Sequence, residues 1–169
     1  MPRGLTVLGL DPGYGRFGFG LIRAVGSSFE VLTYGVIETD KKAAHSARLL
    51  AIFNGCKDLI KKYQPDLVSI EKIYFAQSTT TALKVAEARG AALAAMAVNG
   101  LPITELLPLE IKQIITGQGR ADKRQIEEML RRELGIKQKI TPDDAADGLA
   151  VALSAILLVK SRSKKLILS

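Results

Sequence analysis

The chain has 169 residues, 47% of them hydrophobic and 24% charged, enough for one domain whose core needs no disulfide or metal staple. Its one cysteine, Cys56, excludes an internal disulfide framework and fits a reducing cytoplasm, where a buried structural thiol is expected. A formal net charge of +7 favours polyanions, nucleic acid first, while the apolar run from Gly148 to Val159 falls short of the roughly 20 residues needed to cross a bilayer.

In chain order, "LTVLGL" (Leu5 to Leu10) reads as a buried strand closed by an Asp-Pro-Gly turn, which leaves Asp11 at its C-terminal end. "FGFGLIRA" and "SSFEVLTYGVIET" follow as two β-rich segments, completing a three-stranded antiparallel meander. "SARLLAIFNGCKDLIKKYQPD" predicts an amphipathic helix that ends in lysines before Pro65, with His45 solvated near its start. "LVSIE" is a second short buried strand, with Glu71 at its end. Ser/Thr caps, an alanine-rich body and a final Asn-Gly make residues 78–100 a helix with one face of very small side chains.

"LPITELLP" predicts a strand and "LEIKQIITG" a short helix. "ADKRQIEEMLRRELG" predicts a helix capped by the pair Asp122 and Gln125, with an apolar stripe of Ile126, Met129, Leu130 and Leu134. In "TPDDAADGLAVALSAILLVK", Thr141 reads as N-cap and Pro142 as the first helical residue of a buried central helix. The basic "KSRSKKLILS" after it reads as a frayed or solvated tail. This order of elements predicts an α/β fold, a mixed sheet of the meander plus parallel strands, flanked by helices and without a domain boundary.

Gly13, Gly15 and Gly18 spell G-x-G-x-x-G, the dinucleotide fingerprint, but that fingerprint needs a helix after the glycines. Here Gly18 and Gly20 alternate with Phe17 and Phe19 at the period of a strand. The glycines therefore read as a turn that exposes Asp11, with small residues leaving room for a large ligand.

Glu71 repeats the logic of Asp11, a carboxylate closing an apolar strand where burial is costly unless a cation or donors satisfy it. Pairing with Lys72 at the surface is the alternative. Asp143 and Asp144 suit the first turn of a helix through its dipole alone. Asp147 lies beyond that turn, yet shares a face with both at three- and four-residue separations, where like charges repel. Several acids on one face ahead of an apolar helix suggest a divalent cation at the mouth of the core. Oxygen ligands without histidine or cysteine select Mg²⁺, with Mn²⁺ able to substitute. Two such ions, about 4 Å apart, would activate a water and stabilise the leaving oxygen in phosphodiester hydrolysis.

Together "GLDPG", "IEKIYF", "ARG", "ADK" and "DDAADGLAVAL", in this order over most of the chain, resemble the RuvC-type Holliday-junction resolvases of bacteria. The resemblance implies a single RNase H-like nuclease domain over residues 1–160 with a basic tail at 161–169. It implies a homodimer that resolves four-way DNA junctions by paired symmetric nicks with two Mg²⁺ per active site, and the branch-migration proteins RuvA and RuvB as partners. On the same resemblance Asp11, Glu71, Asp144 and Asp147 are the catalytic, metal-binding acids. Tyr74 stands where the family more often has a phenylalanine that stacks on a base, and Lys112 and Lys123 match basic positions near the scissile phosphate.

Lys123 and Arg124 also sit in the first turn of their helix, where cations oppose the dipole unless an anion is shared with them. A solvated basic face is the other reading for Arg124, and a packed or surface aromatic the other for Tyr74. The small-faced helix matches the family's dimer interface, although its composition equally allows packing within the chain. Two other functions are open to such a sequence: a junction-binding module with a dead site, and a phosphotransferase of the actin and sugar-kinase type.

Overall fold

The computed structural model describes residues 4–73 and 79–167. Five strands, β1 (Leu5–Asp11), β2 (Arg16–Val25), β3 (Ser28–Glu38), β4 (Leu67–Glu71) and β5 (Ile103–Leu106), form one sheet in the order β3-β2-β1-β4-β5. The predicted meander is there, β1 and β2 antiparallel and β2 and β3 antiparallel, and β4 and β5 extend the sheet in parallel with β1. Five helices among the described residues complete the fold: α1 (His45–Tyr63), α2 (Thr79–Val98), α3 (Pro108–Thr116), α4 (Lys123–Leu134) and α5 (Asp143–Ile167).

As a central strand β1 is apolar on both faces, and its period of two sorts the residues between two cores. Leu8 and Leu10 face α1 and α2, packing with Ile52, Cys56, Ala92 and Met96. Val7 faces the opposite way, into a core with Leu149, Leu153 and Ile156 of α5 and with Ile111 and Leu130 of α3 and α4. Gly9 and Asp11 share the face of Val7, so the alternation that buries Leu8 and Leu10 aims Asp11 at α5.

The glycines of β1 and β2 are used differently from the sequence expectation. The room they leave is filled by the backbone of α5: a Cβ on Gly9 would lie 2.3 Å from the Gly148 carbonyl oxygen, and one on Gly18 would lie 2.0 Å from that of Asp144. Real side chains do not fit at such distances, so the small residues admit a helix rather than a ligand.

Capping of α4 is as predicted, with the Gln125 amide N–H donating to Asp122 Oδ1 at 2.8 Å and the Asp122 N–H donating to Gln125 Oε1 at 2.9 Å. The start of α5 differs. The helix begins at Asp143, and Pro142 stands just outside it, its carbonyl accepting from the Ala145 N–H at 2.9 Å, so neither Thr141 as N-cap nor Pro142 as first helical residue holds. The Thr141–Pro142 peptide is cis. At its other end α5 continues to Ile167, taking into the helix most of the basic segment expected to fray.

The small residues of α2 are also accounted for inside the chain: Ala88, Ala92 and Ala95 are fully buried in the core shared with α1. Among the described residues no helix is long and apolar enough to cross a membrane.

Candidate active site

Parallel pairing of β1 with β4 sets Leu10 against Ile70, so the next residue of each strand, Asp11 and Glu71, ends side by side at the same sheet edge. α5 crosses that edge on its glycine seats and brings Asp144 and Asp147 of its first turns to the same place. Acids from three separate segments of the chain are thereby brought to one edge of the sheet by one strand pairing and one helix docking.

Their electrostatics register the crowding. Burial first, then the charges of Asp147, Glu71 and Asp144, push the Asp11 carboxyl from 3.8 up to about 8. Glu71 is raised by burial and by Asp147, while its hydrogen bond with Asp11 and the nearby Lys123 and Lys112 act the other way. Asp147 is raised by burial, against the pull of Lys123, whose Nζ lies 3.3 Å from Asp147 Oδ2.

Asp11, Glu71, Asp147, Lys112 and Lys123 line one cleft of about 250 Å³, walled on its apolar side by Ile111, Ile126 and Ala150. A larger cleft of about 610 Å³ between α4 and α5 shares Lys123 and Asp147 with it and adds Arg124, Arg131, Lys139 and Asp143. Arg124 and Asp143 thus belong beside the acidic cleft rather than in it. Asp144 turns toward β2, where Arg16 Nε approaches its Oδ2 to 3.2 Å. That oxygen is buried and has no aligned hydrogen bond among the described residues. Tyr74 lies outside the described residues.

With Asp144 held toward Arg16 and Asp147 toward Lys123, no three acidic, histidine or cysteine side chains among the described residues converge on one point. The donor set nonetheless fits a hard divalent cation: carboxylate oxygens alone, a proton retained on Asp11 where a cation would neutralise the cluster, and an orphaned buried oxygen on Asp144.

Two arginines at this edge went unassigned in the sequence reading. Arg16 carried no signal, because its partner is 128 positions away. Arg89, within the "ARG" motif, donates from Nε to the Glu71 carbonyl oxygen at 3.3 Å and pairs with the Glu105 carboxylate, so that α2 holds the ends of β4 and β5 together. His45 is less isolated than expected: its Nδ1 hydrogen-bonds with the Tyr14 hydroxyl at 2.7 Å and its Nε2 pairs with Glu87 at 2.9 Å.

A mixed sheet in this order, with acids at the ends of its two central strands and on a helix laid across them, defines an RNase H-like α/β protein. Comparison with known proteins narrows the class. The family model for crossover junction endodeoxyribonuclease RuvC matches residues 7–155, and the chain belongs to that family. The RuvC of Petrotoga mobilis is 45% identical over 148 residues, covering 88% of this chain and 91% of the relative. That of Caldicellulosiruptor saccharolyticus is 45% identical over 154 residues, covering 90% and 93%. Among solved structures, Thermus thermophilus RuvC in complex with a Holliday junction substrate superposes with a TM-score of 0.88 at 30% identity, covering 93% of this chain and 96% of that one.

Proposed function

We propose that this protein resolves four-way DNA junctions, nicking two strands symmetrically by Mg²⁺-dependent phosphodiester hydrolysis at a site built from Asp11, Glu71, Asp144 and Asp147. The observation that carries the reading is the half-buried cluster of Asp11, Glu71 and Asp147 in a lysine-rimmed cleft, with Asp11 raised to about 8. No hydrophobic core needs such a cluster, and a bound cation would offset its mutual repulsion. Bound Mg²⁺, two per site, would supply an activated water and neutralise charge on the leaving oxygen.

The chain's own residues do the rest. Asp11 and Glu71 would hold the cation together from the ends of their strands, and Asp144 and Asp147 would do so from α5, a helix packed into the core. Lys112 and Lys123, on the wall of the cleft opposite the strands, hold the scissile phosphate against the acids, and Arg124 extends the basic surface along the strand. Tyr74, three residues beyond Glu71, stacks on a base at the opened junction.

Paired nicking calls for two sites in one particle, hence a homodimer. α2 supports this reading, because its alanines are used within the chain while Leu83 and Val98 on the same helix remain 60% and 73% exposed. RuvA and RuvB, which move the branch point, are the expected partners on family membership.

The test is incubation with a mobile four-way junction and with linear duplex, in Mg²⁺ or EDTA. Symmetric nicks are expected only in the junction and only with the metal, and Asp11→Asn is expected to bind junctions without cutting them. Cutting by that variant at the native rate would overturn the metal-site assignment. Binding without cutting under any divalent ion would instead indicate a junction-binding module.

A further inference from the structure

We infer that Arg16 is a substrate-positioning residue, which occupies Asp144 while the acidic site is without a cation and passes to a backbone phosphate of the bound DNA strand once Asp144 turns to a divalent cation. This rests on the reading of the site given above, and it assigns Arg16 a ligand, a nucleic-acid phosphodiester.

Arg16 opens β2 directly after the turn that follows Asp11. The turn folds back tightly enough that a Cβ on Gly13 would lie 1.9 Å from the Arg16 carbonyl oxygen. The backbone of Arg16 is therefore fixed beside the acidic edge, and its side chain reaches Asp144 from the β2 side, while Lys123 reaches Asp147 from α4. The two cations stand on different acids of the same helix.

Three features make the Arg16 contact exchangeable. The side chain is 55% exposed, so the ion pair is screened and contributes little. The approach is through Nε, and the guanidinium makes no hydrogen bond among the described residues. The Oδ2 it approaches is buried and lacks an aligned donor, so the pairing leaves both partners incompletely satisfied. An oxygen-seeking cation satisfies Asp144 better, and a released guanidinium with all five N–H groups free matches the paired oxygens of a phosphate better than it matches one carboxylate oxygen. Glu38, its ladder partner on β3, forms no ion pair with it among the described residues.

The test uses the full chain with Arg16→Ala and Arg16→Lys, measuring Mn²⁺ binding without DNA, and junction binding as a function of salt in EDTA and in Ca²⁺. Loss of the competing guanidinium should tighten Mn²⁺ binding by Arg16→Ala several-fold. The slope of log affinity against log salt should be shallower than native by about one in Ca²⁺ and unchanged in EDTA. Arg16→Lys should keep the native slope with weaker binding, since it retains charge but not the fork. Equal slopes for native protein and Arg16→Ala in Ca²⁺, with native Mn²⁺ and junction binding intact, would overturn the role of Arg16 and leave the site standing. If the native chain bound neither Mn²⁺ nor junction, the site reading and this inference would fall together. A merely structural role would shift binding alike in EDTA and Ca²⁺, which also overturns it.

Discussion

Gly18 stands directly opposite Asp11 in the β1–β2 ladder, and a Cβ on it would lie 2.0 Å from the Asp144 carbonyl oxygen and 3.2 Å from Asp11 Cβ. One missing side chain thus sets the spacing between the strand acid and the helix acid. Gly18→Ala meets the α5 backbone on one side and the Cβ of Asp11 on the other, so neither neighbour gives way easily. Overpacking of this kind costs about 1–3 kcal/mol, read as a melting temperature several degrees lower. Displacing α5 by about an ångström should also slow junction cutting about a hundredfold. Single-turnover cleavage together with thermal melts checks both, and native cutting by a folded Gly18→Ala would show that the acids tolerate a shifted helix.

The proton held by Asp11 makes stability depend on pH when divalent ions are absent. Its folded pKa, about 8, is raised above the unfolded 3.8, so the protonated carboxyl stabilises the fold fully below pH 4. That contribution is lost as pH rises toward 8, at no more than about 1.4 kcal/mol per pH unit, and changes little above. In EDTA the melting temperature of Asp11→Asn should therefore gain on that of the native chain between pH 5 and pH 8, and added Mg²⁺ at pH 8 should close the gap. A pH-independent difference would mean that Asp11 is ionised in the free protein.

Lys123 separates function from stability. Its side chain is 75% exposed, so its ion pair with Asp147 is worth roughly 0–1 kcal/mol, and Lys123→Ala should melt almost where the native chain does. Cleavage should nevertheless fall by about 10²–10³ if Lys123 meets the charge that develops on the scissile phosphate. Rates measured at saturating junction decide the matter: an unchanged rate would reduce Lys123 to a general phosphate contact.

Cys56 is fully buried, and burial pushes its thiol up to about 12. A water-soluble disulfide reagent should leave it unmodified in the native protein at pH 8 and react stoichiometrically in denaturant. Rapid native labelling would show that α1 opens locally from the sheet.

Much of this was legible in the sequence because local chemistry announced it. The apolar strands with acids at their ends, the Asp122–Gln125 cap and the meander all rest on neighbours within a few residues. What stayed hidden depends on elements distant in the chain. Gly18 and Gly20 read as room for a ligand, since nothing near them says that a helix more than a hundred residues later will fill it. Ala88 and Ala92 fitted an interface between chains as well as a contact with α1, because composition cannot name the partner of a small face. Asp144 carried its acid signal, whereas Arg16 became visible only when β2 and α5 were brought together.

Burial gives α5 a second consequence. The helix that carries Asp144 and Asp147 also supplies Leu149, Leu153 and Ile156 to the centre of the core, and none of the three is exposed. Ala145 and Ala146 in its first turns are buried as well, so those turns are packed with the rest. Catalytic acids on a loop can fray at small cost while the domain stays folded. Here heating has no partial route to disarming the site, so loss of the acidic constellation and loss of the fold are one cooperative event.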